Sequence, residues 1–340
     1  MKILIIRLSA MGDVAMTVPV LKVLSDKYPE HEFSLLTNKV FNPLFAEIPG
    51  LKIINPDLKG KHKGITGLFA LYKEIKKEQN PDVIIDLHNV IRTKTIRFFF
   101  SLNGIKTSKI NKGRKEKREL TKRKHKILKP LRHTTQRYVE VFNNAGINIV
   151  LHCCPKLKPK TLKAEIQSLI NSDEKKIGIA PFAKHIQKQY PIEKTEVIIQ
   201  KLSSEGYKIF LFGGGKKEKE IAENIEKKYQ NTVSVIGKYN LEDEIALIDK
   251  LSVIITPDSG NMHIAALTSV KIISIWGATH PFAGFTPFVP ANRHYVIQNE
   301  HLACRPCSVF GNKKCYKKTL ECLNSTEPEE IIRICKKITA

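Results

Sequence analysis

The chain has 340 residues, 57 Lys and Arg against 33 Asp and Glu, and a formal net charge of +24. Hydrophobic residues at 42% and charged residues at 26% are ordinary globular usage, which excludes a disordered or fibrous chain. No apolar run approaches the ~18 residues of a membrane span. The length predicts two domains, and the charge predicts a polyanionic partner: nucleic acid, anionic lipid headgroups or phosphorylated small molecules.

Residues 2–8 read as a β-branched strand. Arg7 and Asp13 interrupt the apolar start and no small-residue cleavage site follows, so a cytosolic strand is expected there rather than a signal peptide. A helix over 14–27, a strand over 31–37, a short helix over 43–48, a short strand over 52–54 and a helix over 67–78 follow. Residues 81–87 read as a buried strand, 92–102 as a helix and 138–145 as another, stopped by Gly146. The second half repeats the rhythm. Strands are expected at 176–180, 208–212, 233–235, 253–256 and 272–276, with helices over 192–205, 218–229, 241–250 and from 261. Such alternation builds parallel sheets covered by helices on both faces. Two doubly wound halves are expected, joined near 150–172, where Pro155 and Pro159 mark a linker. Ligands of such sheets bind at the carboxyl ends of the strands, so the chemistry is expected in a cleft between the halves.

Residues 106–137 stand apart, with fourteen Lys or Arg and only Glu116 and Glu119 as acids. The segment reads either as a solvated loop or as an anion-binding one. It has no aromatic residue before Tyr138, so it lacks the stacking platforms of a single-stranded nucleic-acid binder.

Four motifs sit at strand ends. Arg7-Leu-Ser-Ala-Met-Gly-Asp13 is neither a dinucleotide fingerprint nor a P-loop. Asp13 reads either as a cap for a helix beginning at Val14 or as a general base. In Pro257-Asp-Ser-Gly-Asn-Met-His263, Asp258 or Ser259 can cap a helix, Gly260 admits a ligand to the backbone, and the helix start suits a diphosphate. His263 lies one turn beyond Ser259 on the same face. Gly213-Gly214-Gly215 before Glu218 permits a close backbone approach or a simple turn. Lys188 lies in a loop where it can pair with phosphate or serve as an ordinary surface lysine.

In order along nearly the whole chain, these motifs resemble glycosyltransferase family 9, the lipopolysaccharide heptosyltransferases. The resemblance rests on Ile3 to Asp13 with Pro19, on Asp86-Leu-His88 with Arg92-Thr93, and on Lys188-Gln-Tyr-Pro191. Gly213-Gly214 with Glu218, Asp258 to Ala266, Gly277-Ala-Thr-His-Pro281 and the cysteine-bearing tail complete it. It implies two Rossmann-like α/β domains facing a cleft in the GT-B arrangement. The acceptor domain would span 1–155, the nucleotide-sugar domain 173–325, and a C-terminal helix over 326–340 would pack back toward the first domain. The implied activity is metal-independent, inverting transfer of a heptose from ADP-heptose to the inner core of a lipid A-linked acceptor, with no cofactor.

Asp13 then matches the catalytic base. Lys188, Glu218, Asp258, Ser259, Gly260 and His263 match donor contacts. Ser9, Met11, Gly12, His88, Arg92 and the basic block Lys122, Arg123 and Lys124 are expected toward the acceptor; His88 reads equally as a hydrogen-bonded structural residue. No Asp-x-Asp occurs, and Glu242-Asp243-Glu244 reads as a complement to a helix dipole. Cys304, Cys307, Cys315 and Cys322 are spaced for a structural zinc site or for reduced buried thiols. Cys153 and Cys154 fall in the linker. The expected location is cytoplasmic, peripheral on the inner membrane, with the basic segment on the anionic leaflet. The competing expectations are a family 9-like transferase with another nucleotide-sugar, a sugar-nucleotide epimerase and, from a different class, a polyanion- or nucleic-acid-binding protein.

Overall fold

A computed structural model describes every residue except 153, 159–160 and 172–173. Cys153 and Pro159 of the expected linker therefore lie outside the described residues, as does the first residue of the expected second domain. The chain divides into two compact units, Met1–Gly113 with Arg132–Pro155, and Arg114–Leu131 with Lys156–Ala340.

The first unit is built on β1 (Lys2–Ile6), β2 (Glu32–Leu36), β3 (Leu51–Ile54), β4 (Val83–Asp86) and β5 (Lys106–Lys109). All are parallel, in the order β3-β2-β1-β4-β5. Ile3 faces Phe33 on one side and Val83 on the other. The apolar residues of β1 are wholly buried because helices cover both faces, and each such isoleucine or leucine contributes ~1.5–3 kcal/mol. Leu4, Ile6, Ile84, Leu71, Ile75, Ile96 and Phe100 form one core between this sheet and the helices Gly64–Glu78 and Ile91–Ser101.

The second unit is built on β6 (Lys176–Ile179), β7 (Lys208–Leu211), β8 (Thr232–Ser234), β9 (Val253–Pro257), β10 (Lys271–Trp276) and β11 (His294–Gln298). These are also parallel, in the order β11-β10-β9-β6-β7-β8. Both sheets follow the doubly wound order, with the direction of winding reversing between β1 and β4 in one and between β6 and β9 in the other. The expected α/β class and Rossmann-like halves are therefore observed.

Four features depart from the expectations. The helix expected over 14–27 is two helices, Met11–Ala15 and Val18–Lys27, because Pro19 lacks the N–H that would continue the first and suits the opening turn of the second. β5 and β11 were not expected. The expected helix at the C-terminus exists as Pro328–Thr339, and the packing that the structure shows for it lies within the second unit. Ile331 and Cys335 are buried in the second unit's own core, against the helix Ile192–Ser204 and beneath β9 and β10. Lys336 meets Glu205 at 2.6 Å and closes that packing.

The basic segment is the fourth correction. It is neither one loop nor part of the first domain throughout: residues 114–131 belong to the second unit. The helix Arg114–Leu120 opens this arm, and Lys117, nearly buried, lies 4.3 Å over the Phe285 ring. The Arg123 guanidinium stacks 4.4 Å over Tyr316. Lys126 donates to the carbonyls of Ala303 (3.1 Å) and Arg305 (2.7 Å), and the Leu131 N–H donates to the Phe282 carbonyl. Cation–π contacts and carbonyl bonds hold part of the arm, which as a whole is therefore not the solvated loop of the first of its two readings.

Candidate functional site

Each unit carries candidate residues at its own switch point. In the first unit, β1 runs directly into Arg7, a buried guanidinium that must find partners. Its Nη1 donates to the Leu87 carbonyl beyond β4 at 2.7 Å, and its Nη2 meets Asp13 Oδ2 at 2.8 Å. Asp13 is not the residue that caps a helix from Val14. It lies in the first turn of Met11–Ala15, whose N-cap position is Ala10, and its side chain is about one-third exposed. The carboxylate thus sits beside both the start of that helix and the Arg7 guanidinium. Tyr138 donates its hydroxyl to the Asp13 backbone carbonyl at 3.1 Å, and burial pushes its pKa upward, so it stays a neutral donor. One carboxylate oxygen is thus held while the side chain keeps an open edge. Ser9 is exposed before this turn, and Met11 and Gly12 are half-buried within it.

The loop after β4 supplies the other side of this switch point. Asp86, wholly buried, accepts the N–H groups of His88 (3.0 Å) and Asn89 (2.7 Å) and pairs with Arg97 at 3.2 Å. This turn holds Asn89 at a left-handed φ of 47°. His88 is buried with no hydrogen-bond partner on Nδ1, and its pKa falls to about 3. Burial is the main cause, and Arg7, Lys112 and Arg92 add to it while Asp13 opposes. His88 is therefore neutral near pH 7, among three cations and one carboxylate. Arg92 is exposed in the first turn of Ile91–Ser101. The structure thus gathers Asp13, His88 and their neighbours, with Arg7 and Tyr138 as members to which sequence reasoning assigned no role. The signal for Arg7 was a charge directly after four wholly buried strand residues.

In the second unit, Lys188 and Asp258 pair at 3.0 Å, both largely buried, one in the loop after β6 and one after β9. Gly311, at φ +74°, lets the backbone approach the Lys188 stem, for a Cβ there would lie 2.4 Å from Cγ. Ser259 occupies the N-cap position of the helix Gly260–Ala265 without capping it, and its hydroxyl lies 3.0 Å from that of Thr256. Asp258 is engaged by Lys188, so neither residue serves as the expected side-chain cap. His263 is buried one turn on. Glu218 closes the triple-glycine loop by accepting the Gly214 N–H at 2.7 Å, and burial raises its pKa. Lys122, Arg123 and Lys124 lie on the arm, apart in sequence and unit from Asp13 and His88.

Cys304, Cys307, Cys315 and Cys322 line one small cavity together with Arg305. Their thiols are free. Among the described residues, no three His, Cys, Asp or Glu side chains are grouped to hold a metal ion, so the geometry gives the zinc expectation no support. Burial pushes Cys322 up to about 11; for Cys315 burial acts the same way, but the N–H groups of Leu320, Lys317, Thr319 and Lys318 outweigh it and lower the pKa.

Two doubly wound units, each with charged residues at its switch point, are the architecture of the GT-B glycosyltransferases. A family model for "Glycosyltransferase family 9 (heptosyltransferase)" matches residues 68–317, and the chain belongs to that family. It is 26% identical to lipooligosaccharide heptosyltransferase 2 of Campylobacter jejuni, over 100% of this chain and 99% of the relative. It is 27% identical to the lipopolysaccharide core heptosyltransferase OpsX of Haemophilus influenzae, over 82% and 79% respectively. Among solved structures, a family 9 glycosyltransferase from Veillonella parvula superposes with a TM-score of 0.74 at 21% identity, over 99% of this chain and 96% of that one. The ADP-heptose lipopolysaccharide heptosyltransferase II of Escherichia coli superposes at 0.71 and 20% identity, over 100% and 98%.

Proposed function

We propose that this glycosyltransferase moves a heptose from ADP-heptose to a phosphorylated, lipid A-linked core acceptor, inverting the anomeric centre without a metal ion. The observation that carries the reading is the Arg7–Asp13 pair at the first unit's switch point: a carboxylate with one oxygen pinned and an open edge. An acceptor hydroxyl is a poor nucleophile until a base takes its proton as the new bond forms. Asp13 takes that proton, and Arg7 and the helix start hold the carboxylate in place. Ser9, Met11, Gly12, His88 and Arg92 receive the acceptor, with neutral His88 offering a hydrogen bond and the surrounding cations attracting its phosphates.

On the donor side, attack opposite the leaving group expels a diphosphate. Lys188 and the N–H groups after Ser259 stabilise its growing charge, and Asp258 holds the lysine until the donor arrives. Gly260 keeps the backbone open to the phosphates, His263 supports the helix start, and Glu218 borders the nucleoside. With lysine and helix start in these roles, and no Asp-x-Asp in the sequence, the leaving group needs no divalent cation. No helix among the described residues is long and apolar enough to cross a membrane, and the reading places the enzyme on the cytoplasmic face of the inner membrane as a peripheral protein.

The test is turnover with ADP-, GDP- and UDP-linked sugars, in EDTA, on core acceptor lacking heptose. Preference for ADP-heptose with inverted product is expected. Preference for another nucleotide, or no transfer without added metal, would overturn the proposal.

A further inference from the structure

We propose that the aromatic and lysine-rimmed outer face of the helices Gly64–Glu78 and Ile91–Ser101 docks the protein on an anionic lipid bilayer. A helix covering a sheet needs one apolar stripe. These two have that stripe, in the buried residues Leu68, Leu71, Ile75, Ile96 and Phe100. They also carry a second one, facing outward. Ile65 and Phe69 lie one turn apart on the first helix, and Ile91, Phe98 and Leu102 recur at helical spacing along the second. Ile91 is 82% exposed, Leu102 68% and Phe98 56%. Exposed apolar side chains grouped this way mark an interaction surface.

The two stripes meet through an aromatic cluster. Phe69 stacks on Tyr72 at 5.7 Å and meets Phe99 edge-on at 5.2 Å, and Phe98 lies 6.1 Å from Phe99. Between the helices runs an open groove of about 480 Å³. Its rim is cationic. Lys73 sits 4.7 Å over the Phe69 ring, Lys76 reaches Asn103, and Lys77 follows. Lys94 is exposed on the other helix, which bears no acid. Of the acids on the first helix, Glu74 is engaged by Lys61 and His62, leaving Glu78 exposed at its end.

Apolar and aromatic side chains inside a lysine rim complement a bilayer surface: the rings and aliphatic chains enter the acyl boundary while the ammonium groups meet anionic headgroups. Charge decides the occupant, since a second copy of this chain would bring the same lysines against them. The placement also serves the reaction, a point that rests on the acceptor being lipid-linked. The helix Ile91–Ser101 starts beside His88 with Arg92, and its Phe98 and Leu102 lie ~10–17 Å along the axis. That distance lets the sugar core of an embedded acceptor reach the candidate site.

The experiment is flotation of the full chain with phosphatidylcholine vesicles, with and without about one-third phosphatidylglycerol. It compares wild type, the triple variant Ile91→Ser, Phe98→Ser, Leu102→Ser, and the triple variant Lys73→Gln, Lys76→Gln, Lys77→Gln. All six side chains are exposed, and unchanged melting of each variant checks the fold. Wild type is expected to float with the anionic vesicles. The serine variant should bind at least tenfold more weakly, and the glutamine variant on the order of 100-fold more weakly at low salt. Transfer to an O-deacylated soluble acceptor should stay at the wild-type rate in both, while transfer to vesicle-embedded acceptor falls. Equal flotation of all three proteins would overturn the docking face. So would a wild-type self-association that the variants abolish without any change in flotation. Loss of transfer to the soluble acceptor in wild type would instead overturn the functional reading and leave the flotation result standing.

Discussion

Replacing Asp13 by Asn separates the base from the anchor. The asparagine oxygen still accepts from Arg7 Nη2, which now meets Asp13 Oδ2 at 2.8 Å, so the guanidinium keeps both of its partners. The pair changes from a charge-assisted to an ordinary hydrogen bond, a loss of about 1 kcal/mol. That shifts melting by roughly 2–4 °C. A general base supplies ~10²–10⁴ in rate, equivalent to about 3–5 kcal/mol of transition-state stabilisation. The kinetic effect should therefore exceed the stability effect severalfold. Steady-state transfer, a melting curve and calorimetric donor binding on the same preparation resolve the two. The expected variant melts close to wild type, binds donor normally because Lys188 and Asp258 lie in the other unit, and loses at least 100-fold in kcat. A variant within threefold of wild-type kcat would show that Asp13 serves only to satisfy the buried Arg7.

Lys188→Met removes the cation from Asp258 and from the leaving diphosphate; donor affinity should fall about tenfold or more by calorimetry, and undiminished binding would place the phosphates elsewhere. Gly311→Ala puts a Cβ 2.4 Å from the Lys188 stem at a φ of +74°, so it should raise the donor KM and lower the melting temperature; unchanged donor KM would show that the lysine's position does not depend on this contact. Burial holds His88 near pKa 3, and His280 and His294 near 4, against an ordinary 6.5. Protons then bind the unfolded chain first, so stability is full above pH 6.5 and lost as pH falls toward 4, by roughly 2 kcal/mol per histidine at pH 5. Urea melts at pH 7 and 5 should show this, and His88→Gln should lessen the slope; a pH-independent midpoint would refute it.

Much of this was readable because β-branched runs and helical spacing are local signals. β1, β4, β6 and β9 are nearly all apolar, as strands buried on both faces must be, and their positions alone placed Asp13 and Asp258 at strand ends. β5 was not readable, since Lys-Thr-Ser-Lys is an edge strand written in polar residues, which protect an edge from pairing. Arg7 is a different failure. Its role depends on Leu87, eighty residues away, and on the side chain of Asp13, and no window along the chain contains all three. The helix Pro328–Thr339 shows the same limit: its apolar stripe announces that it packs, and only the fold says against what.

The charge surplus illustrates how composition and placement differ. Fourteen basic residues between 106 and 137 suggested either a solvated loop or an anion-binding one. In the fold, several are already spent. Lys106 donates to the Ala145 carbonyl, Lys117 and Arg123 lie on aromatic rings of the second unit, and Lys126 is held by two carbonyls. Burial lowers the Lys126 pKa as well. A cation bound to a carbonyl or a ring keeps its long-range field but cannot move to grip a phosphate without giving up that contact. Density of charge in sequence therefore does not tell which cations of the arm are already engaged. The sparser lysines at 73, 76, 77 and 94 differ in surrounding exposed apolar side chains, although Lys73 and Lys76 also lie over rings. Attraction to an anionic surface falls off within a Debye length, ~8 Å at physiological salt, so only charges carried to the surface by adjoining apolar contact act at full strength. Raising the salt should consequently weaken the contribution of Lys73, Lys76 and Lys77 while sparing that of Ile91, Phe98 and Leu102.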